Sequence, residues 1–377
     1  MYKRQGLKGG NRALFEKQLV ANIARQHHLN GSWRLPGRIL LRAGPELDLS
    51  KMFGVAWWAR VERVKASIEE IGNKAVEEAR HLLVQGGAFA VRAKIADKSF
   101  ALNSQELEIE IGQRVVDATG LSVNLTEPET TIFIEVTQSG ALIYTKKEAG
   151  PGGLPVGTSA KVMGLFSGGM DSALATSLMA KRGSRIELVH FHAFPSAKDA
   201  HSSKIGEMAR MLTRYDPQLC MHYVPYHLFQ VATSGLSKRL QRYELVVFRR
   251  FMARVTERIA LKRRAKALFS GDNLGQVASQ TMENLVAVDD AIAMPIFRPL
   301  IAYDKIEIVD QTKKIGMYEV AIGAYKDCCS MIARHPATRA NERMINMLEA
   351  EISIDELLER VLDEAETIKL EEPRPSD

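Results

Sequence analysis

The segment Ser167-Gly168-Gly169-Met170-Asp171-Ser172 follows the apolar run 160–166 and precedes the periodic stretch 173–179. A strand, a glycine pair and a helix in that order constrain the fold more than any other feature, because together they describe a phosphate loop. Two adjacent glycines let the backbone turn tightly and bring N–H groups up to an anion. The helix that follows offers the positive end of its dipole to the same charge. A plain strand-to-helix turn with Ser or Asp as N-cap is the bland alternative; strand, loop and helix all in order favour the phosphate loop. A Walker-type loop would carry G-x-x-x-x-G-K-[ST] and use its lysine on the terminal phosphates. This loop contains no lysine.

The run Glu148-Ala149-Gly150-Pro151-Gly152-Gly153-Leu154-Pro155-Val156-Gly157-Thr158 marks a linker by its Gly and Pro content. After it, apolar runs alternate with amphipathic stretches: a strand at 185–193, a helix at 200–215, a strand at 220–226, a long helix ending near Lys266 and a strand at 267–270. Strand and helix in alternation predict an α/β, doubly wound parallel sheet. Ligands of such sheets gather at the carboxyl ends of the strands. The phosphate loop, His190-Phe191-His192 and Ser270-Gly271-Asp272-Asn273 should therefore meet in one crevice. Before the linker, strands at 89–94 and 131–136 with helices at 64–83 and 104–119 predict an α+β module. Its Arg92, Lys94 and Lys98 could face RNA, or serve as plain edge protection. Further upstream come an amphipathic helix at 11–26 and a strand at 38–42. Residues 338–369 read as helical and increasingly acidic, and the tail 371–377 as frayed.

The 377 residues suggest roughly two to three domains. The net charge of +6 is unevenly placed: residues 1–51 carry ten Lys or Arg against three acids, and residues 238–266 carry eleven against Glu244 and Glu257. Two such blocks suit a polyanionic partner larger than a nucleotide; a pair of solvated faces is the competing explanation. No apolar run approaches membrane-spanning length, and no signal peptide follows Met1. Three cysteines do not make a disulfide framework, so a reducing cytoplasm is expected. Cys220, inside an apolar strand run, reads as core. His190 and His192 alternate on the second strand and would line the crevice, while His27-His28 and His335 show no metal-ligand spacing.

The S-G-G-x-D-S pattern resembles the pyrophosphatase loop of enzymes that split ATP between its first and second phosphates. More of the chain resembles one family within that group, the tRNA 4-thiouridine synthetases (tRNA sulfurtransferases of the ThiI type). The matching segments are Leu7-Lys8-Gly9-Gly10-Asn11-Arg12, Gly152-Gly153-Leu154-Pro155-Val156-Gly157, the phosphate loop, Gly271-Asp272-Asn273-Leu274-Gly275-Gln276-Val277-Ala278-Ser279-Gln280-Thr281, Arg298-Pro299-Leu300 and Asp327-Cys328-Cys329. The resemblance implies a ferredoxin-like region at 1–46, a THUMP RNA-binding domain at 47–149, the linker at 150–158 and a Rossmann-like, PP-loop ATP pyrophosphatase domain at 159–377. It implies adenylation of the carbonyl oxygen on carbon 4 of uridine 8 in tRNA, followed by displacement of AMP by sulfur. Uracil oxygen is a poor leaving group and AMP a good one, so the order is chemically sensible.

Site residues implied by the resemblance follow position by position. Ser167, Gly168, Gly169 and Ser172 would grip pyrophosphate, and Asp171 would orient the loop or a Mg2+ ion, whose hard charge prefers carboxylate and phosphate oxygen. Leu165, Phe166, His190 and Phe191 would meet adenosine through backbone. Arg249 would supply the cation that the loop lacks, although its position beside the buried stripe Phe248, Phe251, Met252, Val255 and Ile259 would equally suit a surface arginine. Gly271 would permit close approach, and Gln280 would offer an amide to the nucleotide. Cys328 would relay sulfur as a persulfide, with Cys329 as the near alternative. Members of the family usually begin with a strand before an R-Y-G-E-like segment, whereas this sequence starts at Met1-Tyr2-Lys3-Arg4, so either a missing first strand or a clipped start is expected, and no rhodanese-like domain is expected after it. An external donor, a cysteine desulfurase or free sulfide, is therefore expected, and a role in thiamine synthesis is not. A homodimer stays open. Two other functions compete: an ATP pyrophosphatase acting on a small molecule, for which the basic N-terminal half has no use, and an RNA-binding module without catalysis, which would have no use for the intact loop.

Overall fold

The computed structural model describes residues 11–27, 29–35, 38–83, 87–324, 328–332 and 336–370. Residues 7–10 of the first matching segment, His28, Asp327, His335 and the tail 371–377 lie outside them. Among the described residues the chain divides into two units, one within 30–50 and 55–151, the other within 11–29, 51–54 and 152–370. Helix α1 (Arg12–Gln26) groups with the second unit, with Leu19 and Ile23 buried at helical spacing.

The first unit opens with a two-stranded sheet of β1 (Leu29–Leu35) and β2 (Arg38–Ala43). Strand β3 (Trp57–Trp58) pairs with a strand near the linker, and β4 (Glu62–Val64) enters a four-stranded sheet. Helix α2 (Ile68–Leu83), β5 (Phe89–Ile95), α3 (Ser104–Thr119), β6 (Thr130–Thr137), β7 (Gly140–Tyr144) and β8 (Glu148–Ala149) follow, with sheet order β4-β7-β6-β5 and β8 as the partner of β3. Ile71, Ala75 and Ala79 of α2 and Leu107, Ile111 and Val115 of α3 recur every fourth residue, so each helix buries one stripe. Both stripes cover the face built by Ile132, Ile134, Val136, Ala141 and Ile143, the alternate residues of β6 and β7. The period of two leaves Arg92, Lys94, Phe133, Glu135 and Tyr144 on the opposite face.

The second unit contains β9 (Val162–Leu165), α4 (Met170–Lys181), β10 (Ile186–His192), α5 (Ala197–Ser202), α6 (Lys204–Leu212), β11 (Cys220–Pro225), α7 (His227–Thr233), α8 (Lys238–Gln241), α9 (Glu244–Lys262), β12 (Ala267–Phe269), α10 (Met282–Asp289) and β13 (Ile296–Phe297). Helices α11 (Lys305–Lys314), α12 (Tyr318–Ala321), α13 (Cys328–Met331), α14 (Glu342–Glu351) and α15 (Ile354–Glu364) follow, and β14 (Glu366–Lys369) ends the described chain. The sheet order is β13-β12-β9-β10-β11-β14, parallel except for β14. Two apolar clusters cover its two faces, which is why β10 is buried at every position. Near the start of this unit Leu154 N–H donates to Lys181 O and Gly157 N–H to Gly183 O, both at 2.9 Å, so this stretch of the Gly/Pro run is docked.

Three local expectations change. The helix expected at 200–215 breaks at Ser203, whose extended backbone lets its hydroxyl accept the Ile205 N–H and start α6. The C-terminal helical stretch is two helices separated by Ser353 at φ 48°, and it ends in an edge strand rather than continuing as helix. Cys220 opens β11 half-buried, its sulfur 3.9 Å from Arg263 Nη2, instead of in the core.

Candidate active site

Strand β9 runs into Phe166, and Ser167-Gly168-Gly169 then turns the chain into α4. Gly168 takes φ 78°, a left-handed backbone that favours glycine; a Cβ there would also lie 2.1 Å from Ile205 Cδ1, the movable end of that side chain. The loop is tied internally: Gly169 N–H donates to Ser167 Oγ at 3.3 Å, Ser167 Oγ to Ser172 Oγ at 3.3 Å, and Ser172 Oγ to Gly169 O at 3.0 Å. These bonds hold the amide-lined N-terminus of α4 in shape for an anion.

A cavity of about 250 Å³ opens beside this loop at the carboxyl ends of the parallel strands. Leu165, Phe166, Ser167, Asp171 and Ser172 line it from the first strand and loop, His190 and Phe191 from the second, and Arg249 from α9. Gly271 and Gln280 come from the segment after β12, and Cys328 and Cys329 from α13. Of the residues expected in this crevice, Gly168, Gly169, His192 and Asn273 are outside the lining; the two glycines shape the loop instead.

Each side chain is oriented by its neighbours. The His190 imidazole bonds the Phe166 carbonyl through Nδ1 at 2.7 Å. Burial pushes its pKa down to about 4, against the raising effect of that bond, so the ring is neutral near pH 7, with Nδ1 the protonated nitrogen and Nε2 the acceptor. Arg249 Nη2 sits 2.6 and 2.7 Å from the two oxygens of Asp272. Gln280 donates to Asp272 at 3.3 Å and accepts the Asn273 N–H at 3.4 Å. Cys328 is 3% exposed and its thiol donates to Phe191 O at 3.2 Å; Cys329 is more open. Gly271 has its own reason to be glycine: a Cβ would fall 2.6 Å from the Asp171 carbonyl carbon. What it approaches closely is the phosphate loop itself.

Sequence reading missed Lys305, the first residue of α11. Its Nζ lies 2.9 and 3.1 Å from the Asp171 oxygens, while Gln276 Nε2 reaches the same carboxylate at 3.2 Å. The local signal was the capping box of Asp304 and Glu307 that starts α11; nothing linear links it to a residue 134 positions earlier. Among the described residues no group of three or more His, Cys, Asp or Glu is arranged to hold a metal.

The open face of the first unit forms a second cavity, lined by Arg92 and Lys94 but not by Lys98. Sequence reading missed its aromatic floor. Phe133 and Tyr144 stack with centroids 5.0 Å apart, and Lys147 Nζ stands 3.4 Å over the Phe133 ring. Arg38 and Glu135 form a buried bidentate pair at 2.8 and 2.9 Å. Tyr144 is 3% exposed and Phe133 half-buried, so this face presents its cations more than its rings.

Residues 157–354 match the family model described as thiamine biosynthesis protein (ThiI), and residues 65–146 match that of the THUMP domain. A probable tRNA sulfurtransferase of Thermus thermophilus is 38% identical over 383 residues, covering 98% of this chain and 92% of the relative. One from Brevibacillus brevis is 36% identical over 369 residues, covering 95% and 92%. A 4-thiouridine synthetase solved in complex with RNA and bound ATP superposes with a TM-score of 0.88 at 33% identity, covering 98% of each chain.

Proposed function

Since the chain belongs to the ThiI family of tRNA sulfurtransferases, we propose a division of labour among its residues for that reaction. The protein is an ATP-dependent transferase that thiolates tRNA to 4-thiouridine. The loop amides and hydroxyls at 167–172 bind the phosphates to be released, with Arg249 and Lys305 supplying the cations that the loop lacks. Asp171, held by Lys305 and Gln276, is the carboxylate that would hold a Mg2+ ion, and the ion would supply positive charge toward the phosphates. Leu165, Phe166, His190, Phe191, Gly271 and Gln280 frame the nucleoside. The uridine at tRNA position 8 is adenylated on its 4-oxygen, which turns a poor leaving group into AMP. The outer sulfur of a Cys328 persulfide then attacks carbon 4 and expels AMP, and a second thiol cleaves the resulting S–S bond, which releases 4-thiouridine and leaves a disulfide for an external thiol to reduce. The first unit is the tRNA-holding part, with its basic face against the RNA. A cysteine desulfurase as donor, a cytoplasmic setting and a homodimeric assembly belong to the same proposal; no helix among the described residues is long and apolar enough to cross a membrane.

One observation carries this reading: the phosphate loop, Arg249, Gln280 and both cysteines line a single cavity. ATP–pyrophosphate exchange tests it. Exchange should require tRNA, since the acceptor of the adenylate is the RNA. Exchange without tRNA would favour a small-molecule substrate, and none under any condition would leave only RNA binding. Asp171→Ala should abolish exchange and thiolation while tRNA affinity stays within about twofold, because loop and RNA-facing sheet belong to different units; normal thiolation by this variant would remove Asp171 from the mechanism.

A further inference from the structure

Asp272 is 3% exposed and gathers four side chains on its two oxygens. Beyond Arg249 Nη2 at 2.6 and 2.7 Å, Oδ2 accepts Ser270 Oγ at 2.7 Å and Arg298 Nε at 3.4 Å, and Oδ1 accepts Gln280 Nε2 at 3.3 Å. Arg298 is itself fixed by Asp289, with Nη2 at 2.6 Å and Nη1 at 3.0 Å from its two oxygens. A buried carboxylate persists only when its charge and lone pairs are met. Burial raises the Asp272 pKa, but the nearby Arg249 charge and the hydrogen bonds from Ser270 and Arg249 outweigh it, so the pKa is lowered and the group stays ionised.

We propose that Asp272 is a positioning residue that presents Arg249 and Gln280 to the nucleotide, and that Arg298, anchored on Asp289, orients Asp272 from outside the cavity. The proposal rests on the reading that Arg249 and Gln280 contact ATP. Asp272 is the carboxylate that both of these side chains share. Arg298 and Asp289 do not line the cavity, so any influence of theirs on ATP must pass through Asp272. Ser270 and Arg298 fix Oδ2, which sets the direction in which Arg249 and Gln280 can bond the carboxylate. A fixed first contact lowers the ordering cost that ATP binding would otherwise carry.

The test is steady-state thiolation with free sulfide as donor, reading the KM for ATP and kcat separately, with melting temperature and tRNA affinity as controls. The variants are Arg249→Met, Asp272→Asn, Arg298→Gln, Arg298→Lys and the double variant Arg249→Met/Arg298→Gln. Charge-assisted buried hydrogen bonds are worth enough that Asp272→Asn and Arg298→Gln should each raise the KM for ATP by roughly tenfold or more. Their tRNA affinity should stay unchanged, and Arg298→Lys, which keeps the charge, should recover part of the loss. The double variant should lose less than the sum of the two single losses, because Arg298 acts on ATP partly through Arg249 and partly through Gln280. If Asp272→Asn does not fold, the two Arg298 variants carry the test. A raised KM in Arg249→Met with a wild-type KM in both Asp272→Asn and Arg298→Gln overturns the positioning role, as does additivity in the double variant. A wild-type KM in Arg249→Met removes the nucleotide reading itself, and the inference with it.

Discussion

Gly271→Ala tests whether the segment after β12 sets the position of the phosphate loop. The added Cβ would lie 2.6 Å from the Asp171 carbonyl carbon, 2.7 Å from the Ser172 nitrogen and 2.8 Å from the Asp171 oxygen. All three are backbone atoms, so no side chain can swing aside. Restoring an ordinary contact at 3.4 Å needs about 0.8 Å of relative movement between the two segments. Neither can yield readily: Ser270 N–H is bonded to Phe297 O at 3.0 Å, and Ser172 is 3% exposed at the start of α4. Gly271 does not adopt a left-handed backbone, so the penalty comes from space alone. Overpacking of this kind costs about 1–3 kcal/mol of stability. A displacement approaching 1 Å at a reacting centre costs on the order of a hundredfold in rate. We therefore expect tRNA-dependent ATP–pyrophosphate exchange to fall roughly a hundredfold, the melting temperature to drop and tRNA affinity to persist. Wild-type exchange at an unchanged melting temperature would refute the packing argument.

Cys328→Ser should stop sulfur transfer from a desulfurase while ATP–pyrophosphate exchange continues, because a hydroxyl cannot carry sulfane sulfur, and Cys329→Ser should be milder; full desulfurase-dependent activity in Cys328→Ser refutes the assignment. Far from the cavity, Glu187 is 3% exposed and binds His222, Lys161 and Arg263. Burial opposes its ionisation, but those partners together depress its pKa to about 2 from 4.5. The folded value is the lower one, so this contribution is fully present above pH 4.5 and is lost as the pH falls toward 2. On that basis Glu187→Gln should lower stability near pH 7 by roughly 3 kcal/mol and flatten its acid dependence between those limits; equal acid titration curves for the two proteins, followed by circular dichroism, would dismiss the role.

Much of the site could be read in the sequence because its chemistry is local. A glycine pair between an apolar run and a helical period specifies a strand, a tight turn and an amide-lined helix start wherever it folds. The alternation after the linker determines a parallel sheet, and a parallel sheet places His190, Phe191 and Gly271 at the same end as the loop. The α+β module was equally legible, since Leu107, Ile111 and Val115 repeat at helical spacing and Ile132, Ile134 and Val136 at strand spacing. Tertiary structure alone decided the electrostatic partners. Lys305 reaches Asp171 across 134 positions, and Asp272 joins Arg249, Gln280 and Arg298 from three separate segments. It also added β14 at the sheet edge and brought Phe133, Tyr144 and Lys147 together. Secondary structure follows from periodicity within a dozen residues, whereas an ion pair or a stacked ring requires two distant segments to arrive within a few ångströms, and only the packed fold sets that distance.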